Sequence, residues 1–149
     1  MQVEKLRILL VEDNDDHAEL VARSLEQHRI PNKMYRINDG EAAIEYLMHT
    51  GKYSDISLNP LPHLILLDLR LPKVDGLNVL KYIKNHHGLK KIPVVILTSS
   101  ESVNDIQGSY SNYANSYLVK PIDYNKFKKM MDDIGIYWFN WNKNPSLTI

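Results

Sequence analysis

Five short apolar runs, each followed by a stretch of helical periodicity, constrain this chain more than any other feature of its sequence. The runs are LRILLV (6–11), KMYRI (33–37), HLILLD (63–68), IPVVILTSS (92–100) and NSYLVKP (115–121). They are too short for buried helices and read as strands. Behind them come AELVARSLEQH with Ala18, Val21 and Leu25 on one face, then DGEAAIEYLMHTG with Ala43 and Leu47. GLNVLKYIKNHHG presents Leu77, Leu80 and Ile83, and ESVNDIQGSY presents Val103, Ile106 and Tyr110. A last helix begins near Asp123 and carries Phe127, Met130, Met131, Ile134, Trp138 and Trp141. Asn14, Asp15 and Asp16 are candidate caps for the first helix, and Gly51 and Gly88 mark the ends of the second and third. Such a β–α alternation predicts a doubly wound α/β domain, with a five-stranded parallel sheet covered by helices on both faces.

A length of 149 residues suits a single domain over 1–149. The segment 51–62, GKYSDISLNPLP, is an insert before the third strand whose Gly, Ser, Asn and Pro content forbids a regular element, and 142–149 reads as a loose tail. The 18 basic and 18 acidic side chains cancel, which argues against holding nucleic acid or an anionic membrane through a basic face. Without cysteine there is no disulfide, thiolate metal site or thiol nucleophile. No run approaches a membrane span and nothing resembles a signal peptide, so we expect a cytoplasmic protein.

Ligands of such sheets bind beyond the carboxyl ends of the strands. The first strand ends in Glu12 and Asp13, the third in Asp68, the fourth in Thr98 and the fifth in Lys120. Three carboxylates in one place repel unless a cation lies among them. Oxygen donors without sulfur or convergent histidine point to Mg²⁺. A lysine and a hydroxyl opposite would clamp phosphoryl oxygens, and the central aspartate is a candidate nucleophile.

LLVEDN, LLDLRLPKVDG, ILTSS and YLVKP, in that order and over nearly the whole chain, resemble the receiver domain of two-component response regulators, the CheY-like superfamily with a flavodoxin-like (βα)5 fold. The resemblance implies that Asp68 accepts a phosphoryl group from a sensor histidine kinase. It implies Mg²⁺ held by Asp13, Asp68 and the backbone carbonyl of Arg70, with Glu12 acting through water. Thr98 and Lys120 would bind phosphoryl oxygens, Tyr117 would be the aromatic switch, and the bond before Pro121 would be cis. The insert and the aromatic IYWFNW end resemble the stand-alone regulators that serve bacterial phytochrome kinases. That implies an output by protein contact rather than enzymatic turnover or DNA binding. Homodimerisation would use the fourth helix, fifth strand and fifth helix, with Val103, Tyr110 and Tyr113 as contact residues.

Plainer roles exist for the same residues. Glu12 and Asp13 could only cap a helix, Asp68 could serve a turn, Thr98 could cap the fourth helix, and Lys120 could be a surface charge. Tyr117 could simply pack; Trp138 and Trp141 read as helix anchors, and His86 and His87 as solvated. Arg70 stands where aspartyl-phosphate phosphatases of the haloacid dehalogenase type carry a second acid, which disfavours that class. EDNDD stands where a nucleotide-binding module would need a glycine-rich loop. The remaining alternative is a degenerate receiver acting as an unphosphorylated scaffold.

Overall fold

The computed structural model describes residues 5–27 and 31–144. Its strands are β1 (Leu6–Val11), β2 (Asn32–Ile37), β3 (Leu64–Leu67), β4 (Val94–Thr98) and β5 (Ser116–Val119). All pair in parallel, in the order β2-β1-β3-β4-β5. The helices are α1 (Asp15–Glu26), α2 (Gly40–Met48), α3 (Gly76–Asn85), α4 (Val103–Ser111) and α5 (Tyr124–Gly135). β1, β3 and β4 are almost entirely buried, as a sheet covered on both faces requires.

Because strand side chains alternate between faces, each central strand supplies two cores. Ile8, Leu10, Leu64, Leu66, Val95 and Leu97 meet Ala18, Val21 and Leu25 of α1 and Phe127, Met131 and Ile134 of α5. Leu9, Val11, Ile65, Leu67, Val94 and Ile96 meet Ala43, Tyr46 and Leu47 of α2 and Val79, Leu80 and Ile83 of α3. The strand order reverses between β1 and β3, opening a crevice at their carboxyl ends.

Several expectations are corrected. The Lys120–Pro121 bond is trans, like every peptide bond among the described residues. Asn14 alone caps α1, its side chain accepting from the His17 N–H, while Asp15 and Asp16 sit in the first turn. On α4, Val103 and Tyr110 are exposed, as contact residues would be, and Ser109 is the buried residue. This helix lies beside the half-exposed edge strand β5, which offers little apolar surface to cover. The insert begins with a 3-10 turn, Gly51–Tyr53, and is fastened to α2: Tyr46 Oη donates to the Pro60 carbonyl at 2.9 Å, and His49 Nε2 lies 2.7 Å from the Asn59 carbonyl. The last helix gives way to a wider π-helical segment, Ile136–Trp141, in which Phe139 is buried and Trp141 exposed. Trp138 still packs on the α1/α5 core. In the tail, the Asn142 N–H donates to the Tyr137 carbonyl and Asn144 Nδ2 to the His63 carbonyl, while 145–149 lie outside the described residues. His86 is half-buried rather than solvated, its ring over Tyr82 and its Nδ1 accepting from the Gly88 N–H.

Gly76 seats α3 under the loop that follows β3. A Cβ there would lie 2.0 Å from the Asp68 carbonyl oxygen and 2.5 Å from Leu69 Cα, both backbone atoms that no rotamer change can move. Gly76→Ala is therefore expected to cost about 3 kcal/mol or more of stability, read as a lowered urea midpoint; an unchanged midpoint would contradict this packing.

Candidate functional site

The parallel hydrogen-bond ladder runs one residue past the strands and fixes the site's backbone. The Glu12 N–H donates to Ile37 O at 3.0 Å, Asp68 N–H to Val11 O at 3.0 Å, and Lys120 N–H to Thr98 O at 2.7 Å. Glu12, Asp68, Thr98 and Lys120 are all buried at the same rim, and Asp13 stands exposed at its mouth. Lys120 Nζ donates to Glu12 Oε1 at 2.6 Å and to Asp68 Oδ2 at 2.9 Å. The acids and the lysine forecast from the strand ends therefore share one pocket, and Thr98 closes the neighbouring strand.

The electrostatics separate the two buried acids. Burial, reinforced by the neighbouring Asp68 carboxyl, pushes the Glu12 carboxyl up to about 8. Burial acts on Asp68 in the same direction, but its interactions with Glu12 and Lys120 outweigh it and hold Asp68 below the usual carboxylate range. Asp68 is thus the ionised member of the pair at neutral pH. Its Oδ1 accepts from the Arg70 N–H at 3.2 Å and its Oδ2 from Lys120.

Carboxylate oxygens of Glu12, Asp13 and Asp68 all lie within 4.8 Å of one another. Glu12 Oε2 is buried with no hydrogen-bond partner, an orphan acceptor that ordinarily needs a cation, proton or water. Three converging hard oxygens fit a divalent cation of the Mg²⁺, Mn²⁺ or Ca²⁺ type better than a soft metal.

Two features were invisible in the sequence reading. His17, in the first turn of α1, brings Nδ1 to 3.0 Å from Lys120 Nζ and 3.2 Å from Glu12 Oε1. Burial, then the Lys120 charge, lowers its pKa. Its only sequence signal was a place five residues after Glu12, at the start of the helix leading out of the pocket. The second is a chain of contacts leading from the site. Arg70 pairs with Asp105 of α4 instead of covering Asp68, Ser100 Oγ donates to the same carboxylate, and Tyr117 Oη donates to Ser100 O at 2.9 Å.

Residues 8–132 match the response regulator receiver domain, and the chain belongs to that family of signalling domains. Among relatives, the probable methanogenesis regulatory protein FilR2 of Methanothrix harundinacea is 45% identical over 93% of this chain and 86% of its own length. Response regulator Rcp1 of Synechocystis is 41% identical over 88% of this chain and 87% of its length. The crystal structure of the Mn²⁺-bound form of Rcp1 superposes with a TM-score of 0.89, covering 93% of this chain and 98% of that one. That of the phosphorylated cyanobacterial phytochrome response regulator RcpA is 35% identical with a TM-score of 0.90, covering 95% and 99%. Among the described residues no helix is long and apolar enough to cross a membrane.

Removing Lys120 would leave the buried, ionised Asp68 without its cation. Lys120→Met should lower the stability of the metal-free protein by about 3 kcal/mol, less whatever proton uptake by Asp68 recovers. Adding a divalent cation should then raise the variant's melting temperature more than the wild type's. Equal cation responses in a differential scanning experiment would refute this account of the pocket's charge balance.

Proposed function

We propose that this chain is a single-domain two-component response regulator in which Asp68 accepts a phosphoryl group from the phosphohistidine of a sensor kinase. The observation that carries the reading is the state of Asp68: ionised, buried, and held on both oxygens by the Arg70 N–H and Lys120. A carboxylate oxygen attacks phosphorus, the P–N bond breaks, the imidazole departs, and an acyl phosphate remains on Asp68. Because the nucleophile is fixed beforehand, little ordering remains for the reaction itself.

The Thr98 hydroxyl and the Lys120 ammonium act on the phosphoryl oxygens, where negative charge is spread. Mg²⁺ would be held by Asp13, Asp68 and the Arg70 carbonyl, with Glu12 through water, and would supply charge neutralisation at the same oxygens. An all-oxygen donor set beside a phosphate favours Mg²⁺, and the likeness to the Mn²⁺-bound form of Rcp1 supports the binding of a divalent ion. The sensor kinase is of the phytochrome class, a reading supported by the likeness to RcpA.

Output is a change of protein contact rather than turnover of a substrate, in the cytoplasm and without nucleic acid. Thr98 ends β4 and Ser100 lies two residues beyond it in the loop that follows, and Tyr117 is tied to that loop through the Ser100 carbonyl. Drawing Thr98 toward a phosphoryl oxygen would strain that bond and free Tyr117 to turn inward. The surface this alters contains Val103, Tyr110 and Tyr113, all exposed, and forms the homodimer face of α4, β5 and α5.

Incubation with acetyl phosphate and Mg²⁺ should add the mass of one phosphoryl group, and Asp68→Asn should abolish the gain. Absence of any gain in the wild type would favour an unphosphorylated scaffold. In size-exclusion chromatography, beryllofluoride with Mg²⁺ should shift the protein from monomer to dimer, and Tyr113→Glu should prevent the shift; an elution volume indifferent to beryllofluoride would argue against a phosphorylation-dependent face.

A further inference from the structure

We propose that His17 is a positioning residue for Lys120: its Nδ1 lone pair accepts the third ammonium N–H and keeps the lysine aimed while its bond to Asp68 is exchanged for a phosphoryl oxygen. This inference rests on the phosphoacceptor reading of Asp68.

An ammonium group has three donors and no acceptor. Lys120 Nζ has three partners in the pocket: Glu12 Oε1 at 2.6 Å, Asp68 Oδ2 at 2.9 Å and His17 Nδ1 at 3.0 Å. An ammonium N–H aimed at Nδ1 needs a lone pair there, so this role puts the ring proton on Nε2; the other tautomer would instead donate Nδ1–H to Glu12 Oε1. The Glu12 carboxylate lies slightly farther from Nδ1, at 3.2 Å, and accepts from the same ammonium.

The imidazole is fixed by elements independent of the lysine. The His17 N–H donates to Asn14 Oδ1 at 3.0 Å, which seats the residue in the first turn of α1. Its ring lies against Phe127 of α5, with centroids 5.5 Å apart. Two helices on one face of the sheet thus hold one acceptor over the end of β5.

The three acceptors differ in duty. Asp68 forms the new bond to phosphorus, and Glu12 belongs to the acids that converge for a cation. His17 has neither role, so its hydrogen bond is the one that can persist as the pocket changes occupants. Lys120 has four rotatable side-chain bonds, and an anchor that survives the exchange spares it from being reordered at each event.

Three variants of the full chain separate this role from mere packing. His17→Asn places an amide oxygen as many bonds from Cα as Nδ1, His17→Gln places it one bond farther, and His17→Phe keeps a ring against Phe127 with no acceptor. The measurements are the rate of labelling by acetyl phosphate with Mg²⁺ and, without metal or phosphodonor, the ¹⁵N-resolved signal of the Lys120 ammonium. In the Phe and Gln variants the maximal labelling rate should fall about tenfold, the scale of one lost hydrogen bond to a charged group. The half-saturating donor concentration should stay unchanged, and the slowly exchanging Lys120 signal should disappear. His17→Asn should retain both. An unaltered Lys120 signal in His17→Phe, or a wild-type His17 that carries its proton on Nδ1, overturns the assignment. If the wild type takes up no phosphoryl group, the phosphoacceptor reading fails instead, and the ammonium signal still decides the role of His17.

Discussion

The rest of the structure depends on a buried cluster of charge: the Lys120 ammonium between the carboxyls of Glu12 and Asp68. Isolated charges are expensive to bury, and a pair repays that expense only with close geometry and further hydrogen bonds. Here the lysine donates to both acids and lies 3.0 Å from His17 Nδ1, Asp68 gains a backbone N–H, and Glu12 moderates the excess negative charge by favouring its protonated form. One Glu12 oxygen is left over, and with Asp13 and Asp68 it makes a place for a cation. The arrangement is therefore poised rather than closed, which suits a site that exchanges ions and phosphoryl groups.

That cluster can exist because the sheet beneath it is rigid. β1, β3 and β4 spend nearly every side chain on the two cores, and their ladder continues through the backbone of Glu12, Asp68 and Lys120. Gly76 lets the loop after β3 fold tightly on the start of α3, which holds the Asp68 backbone from below. From this fixed centre, Arg70, Asp105, Ser100 and Tyr117 make a contiguous chain of polar contacts to α4 and β5. In α4 the buried residue is Ser109 and β5 is half-buried throughout, so few apolar contacts hold these elements in one place.

The sequence was most legible where burial is greatest. The continuous apolar runs of β1, β3 and β4 allowed no other reading, and the residues closing them were forecast at the rim where they lie. It was least legible where tertiary neighbours set the outcome. On α4, Val103 and Tyr110 had helical spacing but no partner surface, and Ser109, which donates to the Asp105 carbonyl, took the buried position. The insert looked irregular because its own turn on Asp55 is short, and the bonds that fasten it to the fold come from Tyr46 and His49, outside it.

What the sequence determined by itself is the alternation of strands and helices, and with it the parallel sheet and the five side chains at its carboxyl edge. Period-2 and period-3.6 patterning act over a few residues, so they can be read locally. The tertiary structure decided which oxygen faces which nitrogen: the sharing of Lys120, the arrival of His17 across 103 positions, and the turn of Arg70 toward Asp105. Those contacts join residues that the chain keeps far apart, and only packing the helices on the sheet brings them within hydrogen-bonding distance.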